Sequence, residues 1–435
     1  MGLNFIFDSK SIAFCGIAKN PKSAGRKILE NLISSGYLGK IFIVNPGAKK
    51  ISHFVSYRQI SDIASAIDLA LIFSPESEIV EILTQCGEKK IKNVIIFSDI
   101  TGDFYQSSLK NKIIKIAAKN QISTVGPGAG GIIDTKKMLQ ICPDKIKIKP
   151  GPISVINSSD SKNQFLFNLL LSEKIRLAKY LNLGRAWDID LAKSLNFLEN
   201  DKNTKLVMIW LDKNELSEYE ITAFQKLVLK KPVIVFSPEL KIKSQLSIIQ
   251  TIVVNNLAEF FILPKIILNY PKILTNNLAI ISFDSMIAKT AITEMKKYHL
   301  VLSPMIENPQ IIRTDDEFSW QSKLQKMAKN KFLENILIIL DPTNNTQLKN
   351  FLTASQKLLR KSKKNVFLCL LKSAKSPVFQ KELKNIGLPY FDDLILFFKT
   401  LAEVINYYQY SRTIKSQTRL FFFRKSFDKI PLKLK

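Results

Sequence analysis

Along this chain, short unbroken apolar runs alternate with stretches in which apolar residues return every three or four positions. In the first 126 residues the runs are SIAFCGI, KIFIVN, LALIFS, NVIIFS and STVG, and the periodic stretches include SAGRKILENLISSG and SEIVEILTQCGEKK. Continuous β-rich runs suit strands covered on both faces, and the three-to-four spacing suits helices with one apolar face. Strand, helix and strand at this rhythm predict a doubly wound α/β domain with a parallel sheet. IKIKPGPISVIN opens a second unit, with later strands LVMIWL at 206–211 and PVIVFS at 232–237. A linker around LNYPKILTNN leads to a third, with strands LAIISF, ILIIL and NVFLCLL. Units two and three share a grammar: an apolar strand ending at an Asp (Asp212, Asp341), a polar loop, a helix, a lysine-rich turn and another strand. Two related α/β domains after a Rossmann-like first one are expected.

Composition changes this picture little. The 435 residues are 46% hydrophobic, enough for two or three cores. Cys15, Cys86, Cys142 and Cys369 form no CxxC pair, so they read as buried thiols, with neither a disulfide frame nor a metal site expected. No signal-peptide pattern opens the chain, and the most apolar window, 249–269, is broken by asparagines, Glu259 and Lys265. A cytoplasmic protein with no transmembrane segment is expected.

The net charge of +27 calls for a decision about partners. Only nine of the 64 basic residues are arginine, leaving 55 lysines spread along the chain. Specific nucleic-acid readers concentrate arginine for bidentate contacts, so no specific nucleic-acid partner is expected. The local exception is the segment 411–435, with eight basic residues and one acid. It reads as a solvated basic tail, with an acidic partner or a membrane surface as the functional alternative.

The candidate chemistry begins at SIAFCGIAKNPKSAGRKILENL, residues 11–32. A glycine leaving a first strand and a helix following a polar loop place backbone N–H groups where open α/β sheets bind anionic ligands. Gly16 supplies the turn, and Ala18, Lys19 and Asn20 line the rim, with Lys19 available to a phosphate. The GxGxxG dinucleotide spacing is absent, so the loop alone is a weak signal.

The surrounding motifs narrow it. FIFDSKSIAFCGIAKNPKSAGRKILENLISSGYLGKIFIVNP, DLALIFSPE, NVIIFSDITGDF, TVGPGAGGIID and LNLGRAWDIDLAKSLNFLENDKNTKLVMIWLD resemble, in order, the CoA-binding and ligase regions of NDP-forming acyl-CoA synthetases, relatives of the succinyl-CoA synthetase α subunit. The resemblance runs over roughly residues 1–410 and ends in LKNIGLPYFDDLILFFKTLAEVINYYQY. It implies a CoA-binding Rossmann-like domain at 1–135, a succinyl-CoA-synthetase-like flavodoxin domain at 148–270, a second flavodoxin-like ligase domain at 275–410 and a basic tail at 411–435. It assigns Gly16, Ala18, Lys19 and Asn20 to the phosphate loop, with alanine where the family has serine. Asn45 and Pro46 match the family's VNP turn, Ser74 and Pro75 its VPA turn, and Phe97 and Ser98 the next strand end. Coenzyme A or an acyl-CoA is the implied ligand, and no metal is implied.

The same resemblance locates what is missing. These synthetases carry phosphate on a loop histidine, and the only two histidines, His53 and His299, stand elsewhere. After KKPVIVFSPE the chain runs through LKIKSQLSIIQ straight to TIVVNNLAEFF. The family's phosphate-side SQSG is matched by NSSD (Asn157 to Asp160), its NAGGPG turn by SFDSM and its VSLGN by NLGR with Gly184. The carboxylate that would orient the histidine is represented by Asp212. The family's ATP-grasp domain does not occur in these residues. The resemblance therefore implies a CoA- or acyl-CoA-binding protein without phosphohistidine chemistry, acting by binding or regulation. The alternative is an α-type subunit of an acetate- or succinate-type ligase that works with a separate ATP-grasp subunit, or a homo-oligomer. A third reading is polyanion or membrane-surface binding through the tail.

Overall fold

The computed structural model describes residues 2–100, 103–158, 163–270, 273–304, 310–311, 317–340, 364–370 and 389–427. The chain divides into two compact units, Met1–Asn255 and Asn256–Lys435.

The first unit holds two seven-stranded sheets. One comprises β1 (Ser11–Cys15), β2 (Lys40–Val44), β3 (Lys50–Ile51), β4 (Phe54–Tyr57), β5 (Leu69–Ile72), β6 (Asn93–Ile96) and β7 (Ser123–Val125), in the order β3-β4-β2-β1-β5-β6-β7. All its pairings are parallel except β3 with β4. The unbroken apolar runs have the cause expected of them: every residue of β1, β5 and β6 is buried, because helices cover both faces. In chain order the first described helices are α1 (Leu3–Phe7), α2 (Ala24–Ser34), α3 (Glu76–Glu88), α4 (Asp103–Asn120), α5 (Asn163–Ser172), α6 (Leu191–Asn200), α7 (Glu218–Val228), α8 (Leu240–Ser247), α9 (Leu257–Asn269) and α10 (Ser285–Lys296). Of these, α2 and α3 flank the first sheet and supply the three-to-four periodicity.

The other sheet comprises β8 (Gly131–Asp134), β9 (Leu139–Ile141), β10 (Pro150–Asn157), β11 (Leu177–Asn182), β12 (Leu206–Trp210), β13 (Val233–Phe236) and β14 (Ile252–Val254), ordered β14-β13-β12-β10-β11-β8-β9. The hairpin of β8 and β9 adds to β11 in antiparallel fashion, as a distant extension of the parallel sheet. One hydrophobic core runs through both sheets, from Phe14, Leu71 and Ile95 to Leu181 and Ile209.

A buried ionic group crosses this core. Lys179 on β11, 3% exposed, reaches Asp134 on β8 at 2.8 Å and Asp201 at 3.3 Å. Its ammonium also stands 5.3 Å from the Phe7 ring and 5.9 Å from the Phe197 ring, which stack on each other.

The second unit contains a parallel sheet of β15 (Asn277–Ser282), β16 (Val301–Leu302), β17 (Gln310–Ile311), β18 (Asn335–Leu340), β19 (Asn365–Leu370) and β20 (Tyr390–Phe391), ordered β16-β15-β18-β19-β20 with β17 beside β15. Its strands β15, β18 and β19 are the apolar runs read as the third unit's core. Asp341, which the repeat grammar singled out, lies outside the described residues. The apolar window at 249–269 divides into β14 and a helix, Leu257–Asn269, that is buried on most sides. No helix among the described residues is long and apolar enough to cross a membrane. The basic segment continues a helix, Leu394–Phe427, and residues 428–435 lie outside the described ones. All four cysteines are free and buried.

Candidate functional site

The first sheet changes direction at β1. From β1 the chain proceeds outward to β2, then returns to place β5 on the other flank. The crevice beyond the carboxyl ends of β1 and β5 is the topological switch point, where open α/β sheets bind ligands. Both leaving segments carry residues singled out from the sequence. Gly16 follows β1 with φ +76°, and its N–H bonds the Val44 carbonyl at 3.0 Å. A Cβ there would stand 2.0 Å from Ser74 Oγ and 2.8 Å from the Ser74 backbone nitrogen. Glycine is thus required twice, by the left-handed backbone and by the approach of β5's exit.

The remaining singled-out positions sort into a framework and a rim. Asn45 donates from its side-chain amide to the Ile17 carbonyl at 2.7 Å and accepts from the Gly47 N–H at 2.8 Å, tying the turn after β2 to the loop after β1. Ser74 is 2% exposed, and its carbonyl accepts from the Ser98 hydroxyl at 2.5 Å. Phe97, half-buried, stacks on Phe73, which stacks on Phe14. Gly16, Asn45, Ser74 and Ser98 are thus linked through neighbouring contacts across four strand ends. Ala18, Lys19, Asn20, Pro46 and Pro75 are exposed around them. Asn20 folds its loop by accepting from the Lys22 N–H at 2.9 Å.

Electrostatics distinguish the two helices that open at the crevice. Helix α2 is capped by Ser23, has no acid in its first turn and is preceded by Lys19, which has no ion-pair partner among the described residues. Helix α3 carries Glu76 and Glu78 in its first turn, and the Glu76 Oε2 is buried without a hydrogen bond. Helix dipoles favour anions at both N-termini, but two carboxylates oppose them at α3. The N-terminus left without a carboxylate is that of α2.

The loop in TVGPGAGGIID meets the same strand ends. The loop 126–131 contains Gly126, Gly128 and Gly131, all at positive φ. The Gly128 N–H donates to the Ser98 carbonyl at 3.0 Å, and a Cβ on Gly128 would sit 2.9 Å from Asp99 Oδ1. This loop also receives the turn after β11. Arg185 N–H donates to the Pro127 carbonyl at 2.9 Å, and Gly184, φ +57°, would place a Cβ 2.4 Å from that same oxygen. The glycine density of GPGAGG was the available signal; its partner turn, fifty residues on, was not readable.

The second sheet has its own switch point, between β10 and β12. Ser158 there spans the gap, its N–H bonding the Trp210 carbonyl at 3.0 Å and its hydroxyl accepting from the Asp212 N–H at 3.2 Å. Asp212 is exposed. Asp160 lies outside the described residues. The β13-to-β14 connection is the short helix α8 (Leu240–Ser247). Gln245 of α8 bonds both backbone groups of Leu216, at 2.9 and 3.0 Å, and Lys241 pairs with Glu215. The connection is therefore fastened to the loop after β12. His53 and His299 are both exposed; His53 lies against Phe54, and His299 occupies a turn at φ +58° between helix α10 (Ser285–Lys296) and β16. Asp284, in SFDSM, caps α10 by accepting from the Ile287 N–H at 2.8 Å.

Comparison with known proteins agrees with this geometry. Residues 10–134 match the CoA binding domain family, and residues 150–247 match the succinyl-CoA ligase like flavodoxin domain. The α subunit of acetate–CoA ligase [ADP-forming] I of Pyrococcus furiosus is 30% identical over 241 residues, 54% of this chain and 52% of that protein. Acetate–CoA ligase [ADP-forming] of Methanocaldococcus jannaschii is 28% identical over 232 residues, covering 53% and 32% respectively. The matched region spans about half or less of the length of these relatives. Among solved structures, dinucleotide forming acetyl-coenzyme A synthetase 1 of Candidatus Korarchaeum cryptofilum superposes with a TM-score of 0.82 over 95% of this chain and 98% of that one. At 17% identity, that likeness shows the fold. This chain joins a CoA-binding domain to a succinyl-CoA-ligase-like flavodoxin domain, and it is a homologue of the α subunits of ADP-forming acetate–CoA ligases.

Proposed function

We propose that the crevice beyond β1 and β5 binds coenzyme A or an acyl-CoA, and that the chain acts through this binding without carrying a phosphohistidine. The observation that carries the first half is the contact of Gly16 with Ser74 at the switch point of a matched CoA-binding domain. The N–H groups at the start of α2 and the ammonium of Lys19 would meet the phosphates, on the side without acidic residues. Asn45 and Ser98 would hold the loop shapes rather than the ligand, because their side chains are already committed to backbone carbonyls.

The second half rests on the β13-to-β14 connection. Phosphoryl transfer through a histidine needs an imidazole on a segment able to reach the phosphate source and the acyl site. No histidine occurs between residues 54 and 298. Helix α8, fixed to Leu216 by two hydrogen bonds, occupies the connection where the resemblance places the histidine loop. Incubation with radiolabelled ATP and the ATP-grasp subunit of a relative tests this. No acid-labile phosphate on the chain is expected; such phosphate on His53 or His299 would overturn it.

A second reading is favoured by two relatives being α subunits. On it, the chain pairs with a separate ATP-grasp chain and supplies the CoA site of a ligase. Co-purification with such a chain, together with ADP formation dependent on CoA and a carboxylic acid, would establish that reading over simple binding.

A further inference from the structure

Helix α2 touches two sites. Its first turn opens on the crevice described above. Its last turn, with Ser34 and the following Ser35, forms one wall of a separate cavity of about 500 Å³. Eleven residues of helix separate the two by ~16 Å. The opposite wall is the β8–β9 hairpin and its turn, and the segment 145–148 closes the third side.

Two features of this cavity go together. Its floor is apolar, formed by Ile133, Leu139 and Ile146, all buried, with Met138 and Ile148 beside them. Its rim is cationic. The sequence DKIKIK alternates so that Ile146 is buried while Lys145 and Lys147 are exposed, and both lysines line the cavity. Neither has an acidic partner among the described residues. The charges that face them are few. Asp134 also lines the cavity, but it is fully buried, neutralised by Lys179 at 2.8 Å, and accepts from the backbone N–H groups of Lys136 and Lys137. The carboxyl end of α2 contributes about half a negative charge, against two full positive ones. The hydroxyl of Ser35 is spent on the Met138 and Leu32 carbonyls, so it helps hold the wall in place.

A half-open cavity of this size, with an apolar floor and polar side chains around it, suits a small amphiphilic molecule. The two unpaired lysines set the sign of its ligand. We propose that this cavity is a second binding site, distinct from the coenzyme crevice, for an organic anion with an apolar body, such as a medium-chain carboxylate. The apolar chain would lie on Ile133, Leu139 and Ile146, and the carboxylate would face Lys145 and Lys147.

Decanoate is the probe, titrated calorimetrically into the full chain below its micellar concentration, with decylammonium and acetate as controls. Saturable binding of one decanoate per chain is expected, with neither control binding. Reversing the rim charges in Lys145→Glu/Lys147→Glu should weaken decanoate about tenfold or more, and Ser34→Trp, which fills the mouth from an exposed helical position, should abolish it. Both variants must retain the wild-type melting temperature and the wild-type response to CoA, which also separates a failure here from a failure of the coenzyme reading. Equal binding of decylammonium, unsaturable uptake, indifference to the charge reversal or displacement of decanoate by CoA would each overturn the proposal.

Discussion

Replacing Gly16 by alanine perturbs one atom at the point where β1 and β5 deliver their loops. The new Cβ would stand 2.0 Å from Ser74 Oγ, 2.8 Å from Ser74 N and 2.9 Å from Ser74 Cα. A rotamer change can remove the first clash, but the other two are with backbone, and Ser74 is 2% exposed with little room to withdraw. The left-handed φ of +76° adds a cost of about 1 kcal/mol for any side chain. Overpacking against backbone adds roughly 1–3 kcal/mol. The sum, about 2–4 kcal/mol, is a large share of the stability of an ordinary domain. Urea denaturation of wild type and Gly16→Ala would read it directly, and titration with CoA would read its effect on the crevice. Removing the hydroxyl in Gly16→Ala/Ser74→Ala should restore only part of the stability, since the backbone contacts and the φ cost remain. A Gly16→Ala protein with wild-type stability and wild-type CoA response would refute the reasoning. So would complete rescue by Ser74→Ala.

Other outcomes follow from the same geometry. Gly184→Ala should cost about 2–4 kcal/mol in urea denaturation, because its Cβ would meet the Pro127 oxygen at 2.4 Å from a φ of +57°. Lys179→Ala leaves Asp134 buried without its cation and should cost about 3–5 kcal/mol, whereas Lys179→Met/Asp134→Leu should recover much of that loss. Gln245→Ala leaves both buried backbone groups of Leu216 unbonded; a loss of ~2 kcal/mol and faster amide exchange across α8 are expected. Burial alone would raise the Asp201 carboxyl, but the Thr204 hydroxyl and the Lys179 charge outweigh it and hold the group below the usual carboxylate range. Its folded value therefore lies below its unfolded one, so its contribution is present above about pH 4 and is lost as pH falls through the lowered value. Stability curves from pH 6 to pH 3 should fall less steeply in Asp201→Asn than in wild type.

How far the sequence could be read depended on how local each cause was. The strands of the first sheet were legible because burial on both faces leaves unbroken apolar runs, as in SIAFC and NVII. The switch-point loops were legible from Gly16 and from the motif order around it. The close approach of Gly16 to Ser74 joins residues 58 positions apart and has no local signature. The same holds for the β8–β9 hairpin, whose pairing with β11 depends on a meeting of Asp134 and Lys179 across 45 residues. LAKYLN gives no local hint that its lysine is almost wholly buried, since lysine normally marks an exposed position. Only the family resemblance, and no local pattern, implied that the β13-to-β14 connection lacks a histidine loop. That this connection is a helix pinned by Gln245 to Leu216 depends on a side chain whose reach only the fold reveals.

The crevice beyond β1 and β5 is proposed to bind a CoA species although no phosphohistidine serves it. Thermal unfolding of the full chain with CoA, acetyl-CoA and NAD in turn is the decisive measurement. A ligand bound only by the folded state stabilises it by about 2.7 kcal/mol at a hundred times its Kd. A saturable rise in Tm with CoA or acetyl-CoA, lost in Gly16→Ala, is expected, with no rise with NAD. A Tm unmoved by either CoA species, or raised equally by NAD, would contradict it.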